Sequence, residues 1–223
     1  MVAVLCLVST SHAQVRPTSD DISLISGRTV GNGEVVLAAA LGWPGFWAEV
    51  LFAPTSRFNL GIRAGVTYGS PLLGLATGVG GEISIPIRIL VYGRNDIDVA
   101  LYVRPLGVIG EGALVGQENT FADDLGWGVG AELGTRIGFH VTDAVTLATG
   151  ATVQPVYVDT PDATTSGNGL VIGFAGIFGL EAVVSRKTML FVELRGGYGI
   201  ATNDLFDQRG VLSLALGVAF RLG

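Results

Sequence analysis

Lysine occurs once in this chain, at Lys187, and cysteine once, at Cys6. Charged residues of every kind make up only 14% of the 223 positions, where a soluble globular domain carries about 25%. Long apolar runs are also missing. A membrane helix needs about 18 or more consecutive apolar residues. Here Glu34, Glu49, Arg63, Glu82, Arg88, Arg104, Glu132 and Arg136 break the apolar stretches at close intervals. Each shortage excludes a class. The scarcity of charge argues against an ordinary soluble domain, and the interrupted runs argue against a bundle of membrane helices. A net charge of −6 with no basic patch excludes a nucleic-acid partner.

The one cysteine falls in a segment with the features of an export signal. Val2 to Val8 is apolar, and Ser11-His12-Ala13 precedes Gln14. Small residues three and one positions before a cut are what signal peptidase accepts, so residues 1–13 are expected to be a signal peptide. Leu5 before Cys6 is not the small residue a lipoprotein site requires. The exported chain then has no disulfide and no cysteine ligand or nucleophile. Residues 14–32, with Pro17, Ser19, Asp20 and Asp21 and a polar Gly31-Asn32-Gly33 end, are expected to form a periplasmic N-terminal tail.

What the chain has in abundance is alternation. In the stretch 81–92, Ile83, Ile85, Ile87, Ile89 and Val91 share one face, opposite Glu82, Ser84, Pro86, Arg88 and Leu90. That is period 2, a β-strand. Leu60 to Tyr68, Val99 to Val103, Leu190 to Tyr198 and Leu212 to Leu222 repeat it. The glycine-dense run 126–139 obeys it as well. Gly126, Gly128, Gly130, Glu132, Gly134, Arg136 and Gly138 lie on one face, and Trp127, Val129, Ala131, Leu133, Thr135, Ile137 and Phe139 on the other. No helix follows these glycines, so they are not a phosphate-binding turn. They leave room for charged side chains from neighbouring strands.

Ten strands are expected, near 34–42, 46–53, 58–69, 77–92, 97–109, 125–140, 145–157, 169–183, 189–200 and 209–222. Short turns at 53–57, 93–96, 141–144 and 185–188 alternate with longer polar segments at 70–76, 110–124, 158–168 and 201–209. This describes a closed antiparallel up-and-down barrel over residues 33–223. Eight strands is the alternative, if the first hairpin packs outside the wall or plugs the lumen.

The charges of the polar faces are few and balanced. Glu49, Glu82, Glu132, Glu181 and Glu193 stand against Arg63, Arg88, Arg104, Arg136, Arg195 and Arg221. Arginine holds carboxylates bidentately in confined ion pairs, and the same faces are crowded with glycine and alanine. The expected arrangement has the apolar faces against lipid and these eleven residues in a narrow or plugged lumen. Trp43, Trp47, Trp127, Tyr68, Tyr157 and Tyr198 fall near strand ends, where interfacial aromatics sit.

In this architecture the chain resembles the small bacterial outer-membrane barrels of the OmpA/OmpX-like type, over almost all of residues 33–223. The resemblance implies an outer-membrane protein with periplasmic termini, in contact with membrane lipid and lipopolysaccharide. It also implies insertion by the barrel assembly machinery, which reads an aromatic residue near the end of the last strand. Phe220 takes that position, followed by Arg-Leu-Gly.

Chemistry is sparse. His140, the one histidine beyond the leader, adjoins a short turn, with Asp143 near and no serine paired to it. No catalytic constellation assembles, and no cofactor is expected. The acidic residues Asp123, Asp124, Asp159, Asp162, Asp204 and Asp207 lie in the long segments. None has the spacing of a dedicated calcium loop, which leaves solvated loops or contacts to lipopolysaccharide through divalent cations. The expected role is therefore non-enzymatic: structural, or binding through the loops, with an envelope protein as a candidate partner. A narrow pore for small solutes is the alternative, and a lipid-modifying enzyme at the rim is a third.

Overall fold

The computed structural model describes residues 22–69, 71, 73, 79–94, 96–110, 126–160, 167–202 and 209–222. Eleven strands form one antiparallel sheet: β1 (Val35–Trp43), β2 (Gly45–Thr55), β3 (Phe58–Thr67), β4 (Gly80–Ser84), β5 (Ile87–Gly93), β6 (Ile97–Gly110), β7 (Trp127–His140), β8 (Val145–Thr160), β9 (Gly167–Ser185), β10 (Thr188–Ala201) and β11 (Arg209–Leu222). The strands pair in an up-and-down order, and β1 pairs with β11 from Val35↔Leu222 to Trp43↔Leu214. The sheet therefore closes on itself and leaves no edge.

The eleven segments make ten staves, because β4 and β5 are two halves of one. The expected strand 77–92 is interrupted at Ile85–Pro86. Proline has no N–H to donate to a ladder. The register nevertheless survives the gap: Ser84 faces Leu106 and Ile87 faces Val103, three residues on along both strands. Ile85 N–H still donates to Pro105 O, and Pro86 O accepts from Gly61 N–H. The eight-stave alternative is excluded, since β1 and β2 are both part of the wall.

Outward positions are apolar all round. Leu41 (66% exposed), Ile62 (62%) and Phe178 (63%) are typical of a belt that includes Val50, Ile83, Leu133, Leu190, Leu214 and Phe220. A soluble surface does not carry a continuous band of this kind. At the loop end, cross-strand aromatic pairs border it: Trp43 with Tyr68, Trp127 with Tyr157, and Phe174 with Tyr198, ring centroids 5.5 to 6.0 Å apart. The Tyr68 hydroxyl donates to the carbonyl of Gly42. Trp47 is a correction to the expected girdle. It shares the inward face of β2 with Glu49, its ring stacked on Phe191 at 5.8 Å with the Arg63 guanidinium 3.9 Å from its centre. Strands β8 and β9, 16 and 19 residues long, exceed the roughly 9–11 residues a tilted crossing needs. Their hairpin therefore projects beyond the belt at the loop end.

The segment before β1 departs most from expectation. Of the stretch read as a periplasmic tail, residues 22–30 lie inside the wall. Ile22, Leu24, Ile25 and Val30 are buried in a cluster with Val36, Leu51, Met189 and Phe191. A chain with this many apolar side chains gains by leaving water, and the small residues of the wall give it room.

Candidate functional site in the barrel lumen

All eleven charged residues expected in the lumen point inward, and they sort into three groups. Eight form a transverse layer. Glu49 and Arg63 are cross-strand partners, with Arg63 Nε and Nη2 each 2.5 Å from Glu49 Oε2. Arg104 and Glu132 are also direct partners, joined through Nε at 2.9 Å and Nη2 at 2.8 Å. Arg104 Nη1 reaches Glu82 as well. The layer then crosses the lumen from β7 to β10. Arg195 Nη1 donates to Glu132 at 2.9 Å, Arg136 Nη1 donates to Glu193 at 3.0 Å, and Arg195 Nε closes the ring on Glu193 at 2.6 Å. Glu132 is wholly buried, with three arginines around it. A buried carboxylate in that position is tolerable only with every partner in place.

The second group, Arg88 and Glu181, holds the inserted segment by its backbone. Glu181 Oε1 accepts from the N–H groups of Leu24 at 2.6 Å and Ile25 at 2.7 Å, and from Ser23 Oγ at 3.2 Å. Arg88 donates to the carbonyls of Ser23 at 3.2 Å, Arg28 at 2.9 Å and Leu24. One anion and one cation of the wall thus satisfy a bend that has no ladder of its own. Two wall glycines shape the berth. A Cβ on Gly179 would lie 2.3 Å from the Ile25 side chain, and one on Gly138 2.8 Å from that of Ser26. The third group is a single residue, Arg221, paired with Glu34 at 3.1 Å near the short-turn end.

Sequence reasoning missed the partners of His140. Its Nε2 lies 2.6 Å from Asp98 Oδ2 and 3.1 Å from Arg28 Nη2, and its Nδ1 is 2.9 Å from Thr146 Oγ1. Asp98 is recognisable as an inward position of its strand, but its nearness to His140 depends on the register between β6 and β7. The cluster lies between the inserted segment and the wall, so it fastens the plug. Of the acidic residues considered for divalent contacts, Asp159 stands at the loop-end tip of β8, opposite Trp127. Asp123, Asp124, Asp162, Asp204 and Asp207 lie outside the described residues.

Above the layer, on the loop side, is a cavity of about 210 Å³. Below it, between the plug and the His140 turn, lies a much smaller cavity of about 20 Å³.

A closed barrel with an apolar exterior and a paired, charged interior is a small membrane-spanning β-barrel of the outer-membrane type. No protein-family model matches the chain, and no curated protein matches its sequence. Among solved structures it is similar to Ail, the attachment invasion locus protein of Yersinia pestis. The identity is 13% and the TM-score 0.43, over 86% of this chain and 99% of that one. It is also similar to a major outer membrane protein from Thermus thermophilus, at 14% identity and a TM-score of 0.29, over 85% and 98% of the two chains. Both likenesses are distant. The assignment to a membrane barrel rests on this chain's own belt, closure and lumen.

Proposed function

We propose that this chain is an integral protein of a bacterial outer membrane that does not conduct, and that its work is structural or is done by binding at the loop end. One observation carries the reading: residues 22–30 are packed inside the wall at the short-turn end, and a layer of ion pairs crosses the lumen above them. In this orientation the plug, the chain termini and the short turns face the periplasm. The long β8–β9 hairpin and Asp159 face outward, toward lipopolysaccharide and any envelope partner. The role is non-enzymatic, since His140 sits at the short-turn end with its ring nitrogens turned to Asp98, Thr146 and Arg28.

The narrow-pore alternative draws on the loop-side cavity, but that cavity ends on the ion-pair layer. Planar-bilayer recording of the purified chain tests the choice. No large, stable conductance is expected, and steady opening of the unmodified protein would overturn the closed reading. Outer-membrane fractionation and heat-modifiable gel mobility should accompany it.

A further inference from the structure

The loop-side cavity is built unlike the rest of the lumen. Its walls carry no charge: Trp47, Val108, Val156 and Val211 line them together with Thr67, Thr152, Gln154 and Ser213. Its floor is the upper face of the ion-pair layer, where three charged groups keep part of their hydrogen-bonding capacity. Glu82 uses Oε1 for Arg104 and Ser84, and its Oε2 has no partner among the described residues. Arg63 gives Nε and Nη2 to Glu49, leaving Nη1. Arg195 gives Nε to Glu193 and Nη1 to Glu132, leaving Nη2. These are the more open members of the layer, their side chains 21%, 13% and 15% exposed.

The signs decide what fits. The layer holds four arginines and four glutamates, so it has no net charge with which to draw in a simple ion. A lone anion at Arg63 would face Glu82, and a lone cation at Glu82 would face Arg63 and Arg104. Arg63 lies opposite Ser84, and Glu82 opposite Gly65. The two are therefore diagonal neighbours on adjacent staves, about 7–8 Å apart at the backbone. A group with an ammonium and a carboxylate on neighbouring atoms spans such a gap with one hydrogen bond at each end. Above that group the walls offer valines, the Trp47 ring and uncharged polar groups, so the rest of the occupant carries no charge. The volume of about 210 Å³ is below the roughly 300–1,000 Å³ of drug-sized sites and suits an occupant of about the size of one amino acid.

We infer that this cavity binds a small zwitterion with an apolar side chain, the chemistry of free leucine or phenylalanine. Its ammonium sits on Glu82, its carboxylate on Arg63, and its side chain among Trp47, Val108, Val156 and Val211. The layer beneath makes this a dead-end receptor site on the loop side. The inference draws on the loop-end binding reading only for the side from which the ligand enters. A barrel that conducted and still bound leucine would overturn the closed-lumen reading and leave this one standing.

The test is calorimetric titration of the full chain in lipid nanodiscs with leucine, phenylalanine, N-acetyl-leucine and leucinamide. The free amino acids should bind saturably at one site. Each blocked analogue should bind at least about tenfold more weakly, for loss of one charge-assisted contact. Glu82→Gln should remove the discrimination against N-acetyl-leucine. Val211→Trp should fill the cavity and abolish binding with heat-modifiable mobility retained. If that variant does not fold, the analogue series on the unmodified protein decides alone. The proposal is overturned if neither amino acid binds saturably up to about 10 mM, the weak end of specific affinity. It is also overturned if N-acetyl-leucine binds as well as leucine, or if folded Val211→Trp binds undiminished.

Discussion

The two halves of the lumen share one wall and one run of small inward residues, yet they are filled by different means. Toward the short turns, the chain's own residues 22–30 occupy the space, packed against the wall and bonded to it. Toward the loops, the same staves surround a cavity. The layer of arginines and glutamates separates them. The difference teaches that the wall does not determine how full a small barrel is. Period-2 staves with glycine and alanine inside make an interior too wide for their own side chains at this strand number, and something further must fill it.

The largest way to break the contrast is to remove the partition. Glu132→Leu leaves Arg104, Arg136 and Arg195 without their shared carboxylate. A broken buried network of this kind costs about 3–5 kcal/mol. The folded, heat-modifiable form should be lost, or its unfolding in urea should shift to much lower denaturant.

A smaller change separates the halves without harming the wall. Glu181→Ala removes the acceptor of two backbone N–H groups at a cost of about 1–3 kcal/mol. The plug should loosen while the barrel stays folded. A cysteine introduced at Ile25 should then react with a maleimide that it resists in the parent. Such a variant should still conduct little, because the ion-pair layer remains. If it opens fully, the layer is not a second barrier and the two halves are one channel.

The least effect is expected at the rim. Tyr68→Phe loses one hydrogen bond to Gly42 O and keeps the ring against Trp43. A shift of about 1 kcal/mol or less in urea unfolding is expected, with neither half of the lumen changed.

The staves and their inward faces were legible because a one-residue slip in register would turn every side chain over. Ile83 to Val91 and the glycines of β7 permit a single reading. The same parity held the answer for Trp47: Glu49 faces inward, so Trp47 two residues earlier must also, despite its place near a strand end. The plug was not legible. Residues 22–30 have no period, and their partners Arg88 and Glu181 are at least 60 and more than 150 positions away in sequence. The fastening of His140 to Asp98 was hidden for a similar reason. It needs the register of two strands and the position of Arg28 together. The eight charges of the layer could be recognised as lumen residues, but which would share a partner across the barrel could not.

The clamp on the plug has an evolutionary consequence. Arg88 and Glu181 grip peptide groups, and of the plug's side chains Ser23 is the one they hydrogen-bond. Selection then acts on the two wall residues more than on the segment they hold. In related barrels the plug positions between its apolar side chains and Arg28 are then the ones free to drift in sequence, while the arginine and the glutamate of the wall stay.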